Sequence, residues 1–166
     1  MDSVTRQRDS ADSTPATAQL HREGIAFTAH TYVHDPQAES FGREAAEALG
    51  LEPARVFKTL MAEVDGLLVV GIVPVTSTLD LKALAAALGA KRAHMAEPAL
   101  VQRATGYVLG GISPIGQKKR HRTVLDESAT PWPTIYVSGG RRGLDLELTP
   151  DDLAAVTGAL RAAIAR

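Results

Sequence analysis

Arg55-Val56-Phe57-Lys58-Thr59-Leu60-Met61-Ala62-Glu63-Val64-Asp65-Gly66-Leu67-Leu68-Val69-Val70-Gly71-Ile72-Val73-Pro74-Val75 is the stretch that decides the fold class. Two apolar, β-branched-rich runs flank Asp65-Gly66, the dipeptide that most favours a tight hairpin turn. The pattern predicts strands over 55–64 and 67–75. The second strand is apolar on both faces, which places it near the centre of a sheet.

Helix signals surround this hairpin. Thr14-Pro15 reads as an N-cap followed by proline at the first helical position, opening a helix that stops near Gly24. A short strand is predicted over 27–32, and Ser40 caps a second helix that Gly50 ends. Asp80 caps an alanine- and leucine-rich helix ending at Gly89, and a short helix follows around 98–104. Three further strands are predicted over 123–126, 134–138 and 144–148. Thr149-Pro150-Asp151-Asp152 supplies a cap, a proline and two acids that complement the dipole of a final helix. Strands and helices mix without strict βα alternation, which indicates the α+β class.

A chain of 166 residues, 45% apolar, is large enough for one domain with its own core. No apolar run reaches bilayer-spanning length. Residues 1–13 are polar and charged, so a disordered leader is expected there, with the domain over 14–166 and a cytoplasmic location. Cysteine is absent, which excludes disulfides, thiolate metal sites and a cysteine nucleophile. His30 and His34 have no third ligand at a matching spacing, so neither a metal nor a cofactor is expected. Net charge is −1, yet residues 82–142 carry ten Lys and Arg against three acids, a balance of +7. A local basic segment of this kind suits a polyanion, and equally suits a set of solvated loops.

Two places can carry chemistry. On a strand, Val56, Lys58, Leu60, Ala62 and Val64 share a face, which sets one lysine among apolar neighbours. Its ammonium either snorkels to water or sits in a cleft that receives it. Gly110-Gly111-Ile112-Ser113-Pro114-Ile115-Gly116 is followed at once by Gln117, Lys118, Lys119, Arg120 and, after His121, Arg122. Main-chain N–H groups of Gly111, Ile112 and Ser113 beside cations fit a phosphate or a developing oxyanion, and a tight structural turn is the plain alternative.

The run GGISPIGQKKR resembles the signature loop of the YbaK/EbsC family of aminoacyl-tRNA editing domains. Further matches lie in order: His30-Thr31-Tyr32, His34-Asp35-Pro36, Phe57-Lys58-Thr59-Leu60 and Leu79-Asp80-Leu81-Lys82. Gln102–Tyr107, Ile135–Gly140 and Arg142–Asp145 continue the series, so the likeness spans residues 18–165. It implies a single compact domain with a mixed, strongly curved β-sheet flanked by helices. It implies Lys58, Gly111 and Ile112 as catalytic, and Tyr32, Phe41, Ser138 and Asp145 around an amino-acid pocket. Thr59, Gly110 and Ser113 join them as substrate contacts.

The activity implied is hydrolysis of Cys-tRNA(Pro), with Cys-tRNA(Cys) a further substrate. The substrate's own thiol would attack its ester carbonyl, so the protein would supply no nucleophile. Lys118, Lys119, Arg120, Arg122, Arg141 and Arg142 would face the acceptor end of the tRNA, and a prolyl-tRNA synthetase would be a partner. Competing readings are a deacylase for another small residue, such as Ala-tRNA(Pro), and a non-catalytic tRNA- or synthetase-binding module.

Overall fold

The computed structural model describes residues 13–38 and 40–166. The leader expected over 1–13 lies, except for Ser13, outside the described residues. Helix α1 (Pro15–Arg22) opens on a Thr14 cap whose hydroxyl accepts from Thr17 N–H, and strand β1 (Thr28–Thr31) follows. Ser40 caps α2 (Phe41–Leu49), and Gly50 closes it in the left-handed region at φ 65°. A 3₁₀ turn (Pro53–Arg55) takes the first residue of the predicted strand, which begins two residues later as β2 (Phe57–Val64). β2 pairs antiparallel with β3 (Leu67–Pro74), from Phe57 opposite Pro74 to Val64 opposite Leu67. Asp65 and Gly66 both take positive φ, 52° and 78°, the geometry that a two-residue turn imposes and that Asp-Gly accommodates.

Next come α3 (Leu81–Ala87), β4 (Ala93–Met95), α4 (Pro98–Thr105) and β5 (Arg122–Asp126). The chain ends with β6 (Ile135–Ser138), β7 (Leu144–Leu148), α5 (Pro150–Thr157) and β8 (Leu160–Ala162). The single mixed sheet of the sequence reading divides in two: an antiparallel trio β1-β7-β6, and a mixed sheet ordered β4-β2-β3-β5-β8. One isolated bridge, Val56 to Tyr136, joins them. Beside it Arg55 donates to the Thr134 carbonyl at 2.8 and 3.0 Å, its guanidinium 5.2 Å from the Tyr136 ring centre and 5.6 Å from that of Trp132.

β3 lies at the centre of its sheet and alternates between two cores. Val70 and Ile72 join α1, β6 and β7, whereas Val69 and Val73 pack under α3. Strands β4 and β8 are three residues each, too short for any period to show in the sequence. Asp126 holds the end of the chain: its Oδ1 accepts from the N–H groups of Ile164 and Ala165, both at 2.9 Å. Among the described residues, no helix is long and apolar enough to cross a membrane.

Candidate active site

The site follows from an unpaired strand edge. β4 pairs with β2 only from Ala62 to Val64, and the bridge to β6 falls at Val56. Along Phe57–Leu60 no strand pairs with that side of β2 among the described residues. This edge floors an open cleft of about 490 Å³. The walls are Tyr32, Phe41 and the start of α2, the glycine loop at Leu109, Gly110 and Ile112, and Ser138, Arg141 and Asp145 from the β6–β7 hairpin. Met95, Ala96 and Pro98 close the far end.

Lys58 is half-buried in this cleft and has no ion-pair partner among the described residues. Burial first, then the Arg43 guanidinium, push its ammonium below the ordinary lysine value. Thr59 Oγ1, also on the cleft floor, is buried without a hydrogen-bond partner among the described residues.

Asp145 and Glu147 stand on one face of β7 with opposite electrostatics. Asp145 is only 6% exposed, its carboxyl makes no hydrogen bond among the described residues, and burial pushes that carboxyl up to about 7. At Glu147 burial works in the same sense, but hydrogen bonds from Thr134 and His30 outweigh it and hold the group below the usual carboxylate range. Tyr32 faces Asp145, and burial, then that carboxyl, raise its phenol to about 12. Tyr32 is therefore neutral at every physiological pH.

The glycine loop is fixed from several directions. Tyr107 Oη donates to Ile115 O at 2.7 Å, Gly116 N–H donates to Gln19 Oε1 at 2.7 Å, and Gln117 Nε2 donates to Ser113 O at 2.9 Å. Gly111 N–H is spent within the turn, on Val108 O at 3.0 Å. Ser113 is fully buried, and its hydroxyl accepts from Ile115 N–H at 3.2 Å. Of the three amides singled out in the sequence, neither Ile112 N–H nor Ser113 N–H has a partner among the described residues, and of these two residues Ile112 lines the cleft. Gly111 contributes by its size: a Cβ there would lie 2.9 Å from Arg141 Cα, a backbone atom. Gly111→Ala is expected to lower unfolding free energy by about 1–3 kcal/mol, read as a shift of the urea midpoint, because the β6–β7 turn must move aside.

The basic residues predicted as one surface separate into several places. Arg141 lines the cleft. Arg142 straps the cleft together: it donates to Leu109 O from Nε at 2.9 Å and from Nη2 at 2.6 Å, and its guanidinium lies 4.9 Å from the Phe41 ring centre. Lys119 and Arg120 line a second groove, Lys118 is exposed, and Arg122 reaches toward Leu88 O at 3.5 Å. Arg43, Met95 and Leu109 were not singled out from sequence. Each becomes relevant only when the chain brings α2, β4 and the loop to the bare edge of β2.

Lys58, Thr59, Tyr32, Phe41, Gly110, Ile112, Ser138 and Asp145 thus meet in one cleft, and Gly111 and Ser113 support its wall. No cluster of three metal-ligating side chains occurs among the described residues. A partly buried cation, an isolated carboxyl and a fixed amide suit a substrate that carries an ammonium and develops an oxyanion.

Comparison with known proteins places the chain in a family. The model of the aminoacyl-tRNA editing domain matches residues 35–156. EbsC of Enterococcus faecalis (strain ATCC 700802 / V583), a proposed Cys-tRNA(Pro)/Cys-tRNA(Cys) deacylase, is 42% identical over 113 residues, 68% of this chain and 69% of that protein. The uncharacterized protein YwhH of Bacillus subtilis (strain 168) is 32% identical over 111 residues, 66% of this chain and 70% of its own length. The crystal structure of a proposed trans-editing enzyme for prolyl-tRNA synthetase superposes with a TM-score of 0.82 at 25% identity, covering 93% of this chain and 98% of that one. On the match to the family model and the likeness to EbsC, the chain belongs to the aminoacyl-tRNA editing domain family.

Proposed function

We propose that the protein is a free-standing editing deacylase that cleaves the ester of Cys-tRNA(Pro), and of Cys-tRNA(Cys), with the substrate thiol assisting. The observation that carries this reading is Lys58, without an ion-pair partner among the described residues, in the same cleft as the Asp145 carboxyl and the Ile112 amide, neither of which has a hydrogen-bond partner among those residues.

The chain has no cysteine, and among the described cleft residues no histidine stands beside a serine as base. The nucleophile therefore comes from solvent or substrate. A substrate thiol, with reference pKa about 8.5, is a few per cent thiolate near neutrality, and an adjacent cation raises that share. Its sulfur attacks the ester carbonyl, a C–S bond forms and the C–O bond to the ribose breaks. The ribose oxygen leaves with a proton, and water then opens the resulting thiolactone to free cysteine.

Ile112 N–H faces the carbonyl oxygen as it gains charge, and Lys58 supplies a cation to that oxygen or to the terminal phosphate. Asp145, once ionised, receives the α-ammonium of the aminoacyl group. Tyr32, Phe41, Thr59 and Ser138 shape the pocket around the side chain. The tRNA acceptor end is the partner, and a prolyl-tRNA synthetase that presents it is the second. Neither metal nor cofactor has a part in this chemistry.

Chemical selection is a stronger filter than size, since one methylene discriminates by only about 1–3 kcal/mol. Steady-state deacylation of Cys-, Ser- and Ala-tRNA(Pro) tests the assignment. Cysteine preferred by about 100-fold or more over serine is the expected result. Equal rates on cysteine and serine esters defeat thiol assistance, alanine preference assigns the protein to another small residue, and no turnover on any ester leaves a binding module.

A further inference from the structure

The second groove is built on the far end of the same glycine loop. It measures about 310 Å³ and lies between α1, the segment from Gly116 to His121, and the last turn of α5. Arg22, Lys119 and Arg120 line it, with His121 alongside, and no acidic side chain among the described residues does. None of the three cations has an ion-pair partner among the described residues. His121 is pushed below its ordinary value by burial, then by Lys119. Three uncompensated cations around one concave polar surface repel one another unless an anion sits among them.

The groove is held as firmly as the cleft. Gly116 abuts the first turn of α1 so closely that a Cβ would come within 2.5 Å of Pro15 backbone atoms, and its N–H is taken by Gln19. Ile112 in the cleft and Gly116 in the groove are four residues apart in sequence, a backbone span of at most about 14 Å. A chain of phosphodiesters entering the cleft by its 3′ end therefore passes within reach of the groove.

We infer that Arg22, Lys119 and Arg120 form a second, phosphate-binding subsite that grips the RNA backbone just behind the aminoacylated terminus. This deepens the functional reading above and rests on it. The site differs from the basic surface expected from sequence. It recruits Arg22 from α1, which precedes the segment matched by the family model. It leaves out Arg142, whose guanidinium straps the cleft, and Arg122, which reaches toward Leu88. Backbone phosphates carry no sequence, so the subsite supplies grip and register while the cleft reads the amino acid.

The test uses the double variant Arg22→Glu/Lys119→Glu. Both residues are exposed, so the fold is not at risk, and Arg120 is left in place because its guanidinium lies against the end of α5 at Gly158. Three measurements are compared with the wild type: kcat/KM on Cys-tRNA(Pro), kcat/KM on cysteinyl-adenosine, and binding of uncharged tRNA against salt. The expected result is a loss of about tenfold or more on the charged tRNA and a salt dependence shallower by about two phosphate contacts. Cysteinyl-adenosine, which has no backbone to hold, is cleaved as by the wild type.

Unchanged tRNA kinetics and binding overturn the subsite. Equal losses on tRNA and on cysteinyl-adenosine also overturn it, because the variant then acts through the cleft. Lost association with prolyl-tRNA synthetase at unchanged tRNA affinity overturns it in favour of an acidic protein surface. A wild type that binds uncharged tRNA through these residues but cleaves no ester refutes the deacylase reading and leaves the subsite standing.

Discussion

Lys58→Ala is expected to lower kcat/KM for Cys-tRNA(Pro) by about 100- to 1,000-fold, the cost of removing one preorganised charge-stabilising group from a partly desolvated site. Lys58 stands on the open edge of β2, with no ion pair among the described residues. Removing its charge thus leaves no buried carboxylate stranded, and the variant should fold as the wild type does. The way the loss divides separates the two roles open to the ammonium. A fall in kcat at constant KM places it on the developing oxyanion, and a rise in KM at constant kcat places it on the terminal phosphate. Activity within fivefold of the wild type would remove Lys58 from the mechanism.

Asp145→Asn is expected to change both stability and activity with pH, and the two effects have different signs. In the folded protein the carboxyl titrates near 7, against 3.8 for the free group. Between those values the folded chain keeps a proton that the unfolded chain has released, so stability falls as pH rises through this window. About three units at roughly 1.4 kcal/mol each allow a loss of up to about 4 kcal/mol by neutral pH. The asparagine variant lacks this slope, so urea midpoints at pH 5 and pH 8 should fall less for it than for the wild type.

Activity runs the other way. Wild-type kcat/KM should rise as pH passes about 7, when the carboxylate that receives the α-ammonium forms. The variant should lose that limb and fall about 10- to 100-fold below the wild type at pH 8, the range for losing a charge-assisted hydrogen bond. The substrate thiol titrates higher, so it leaves its own separate rise. Identical pH profiles in the two proteins would assign Asp145 a packing role only.

The hairpin, the capped helices and the strand Leu144–Leu148 were legible because each rests on local chemistry: Asp65-Gly66, Ser40, Asp80, and Thr149-Pro150. The division into two sheets was not legible, because a single bridge at Val56 and the Arg55 contacts to Thr134 decide it across a long sequence separation. At the site, Lys58 could be picked out as a lone cation on an apolar strand face. That Gly111 spends its N–H on Val108 while Ile112 keeps its own depends on turn geometry that residue types do not encode. Arg142 was read as one of the cations facing the tRNA, since nothing in a run of arginines distinguishes a strap from a surface charge. Asp145 and Glu147 look alike in sequence, and only burial and hydrogen bonding set them apart.

The bare flank of β2 has one more implication, for the behaviour of the protein in concentrated solution. A strand with unsatisfied main-chain groups invites a neighbouring chain to add itself, and a lysine planted in the middle of such a strand is a common deterrent. Lys58 holds that post here, so an apolar replacement would invite self-association as well as silence the site, and a light-scattering trace belongs beside every rate measured on it.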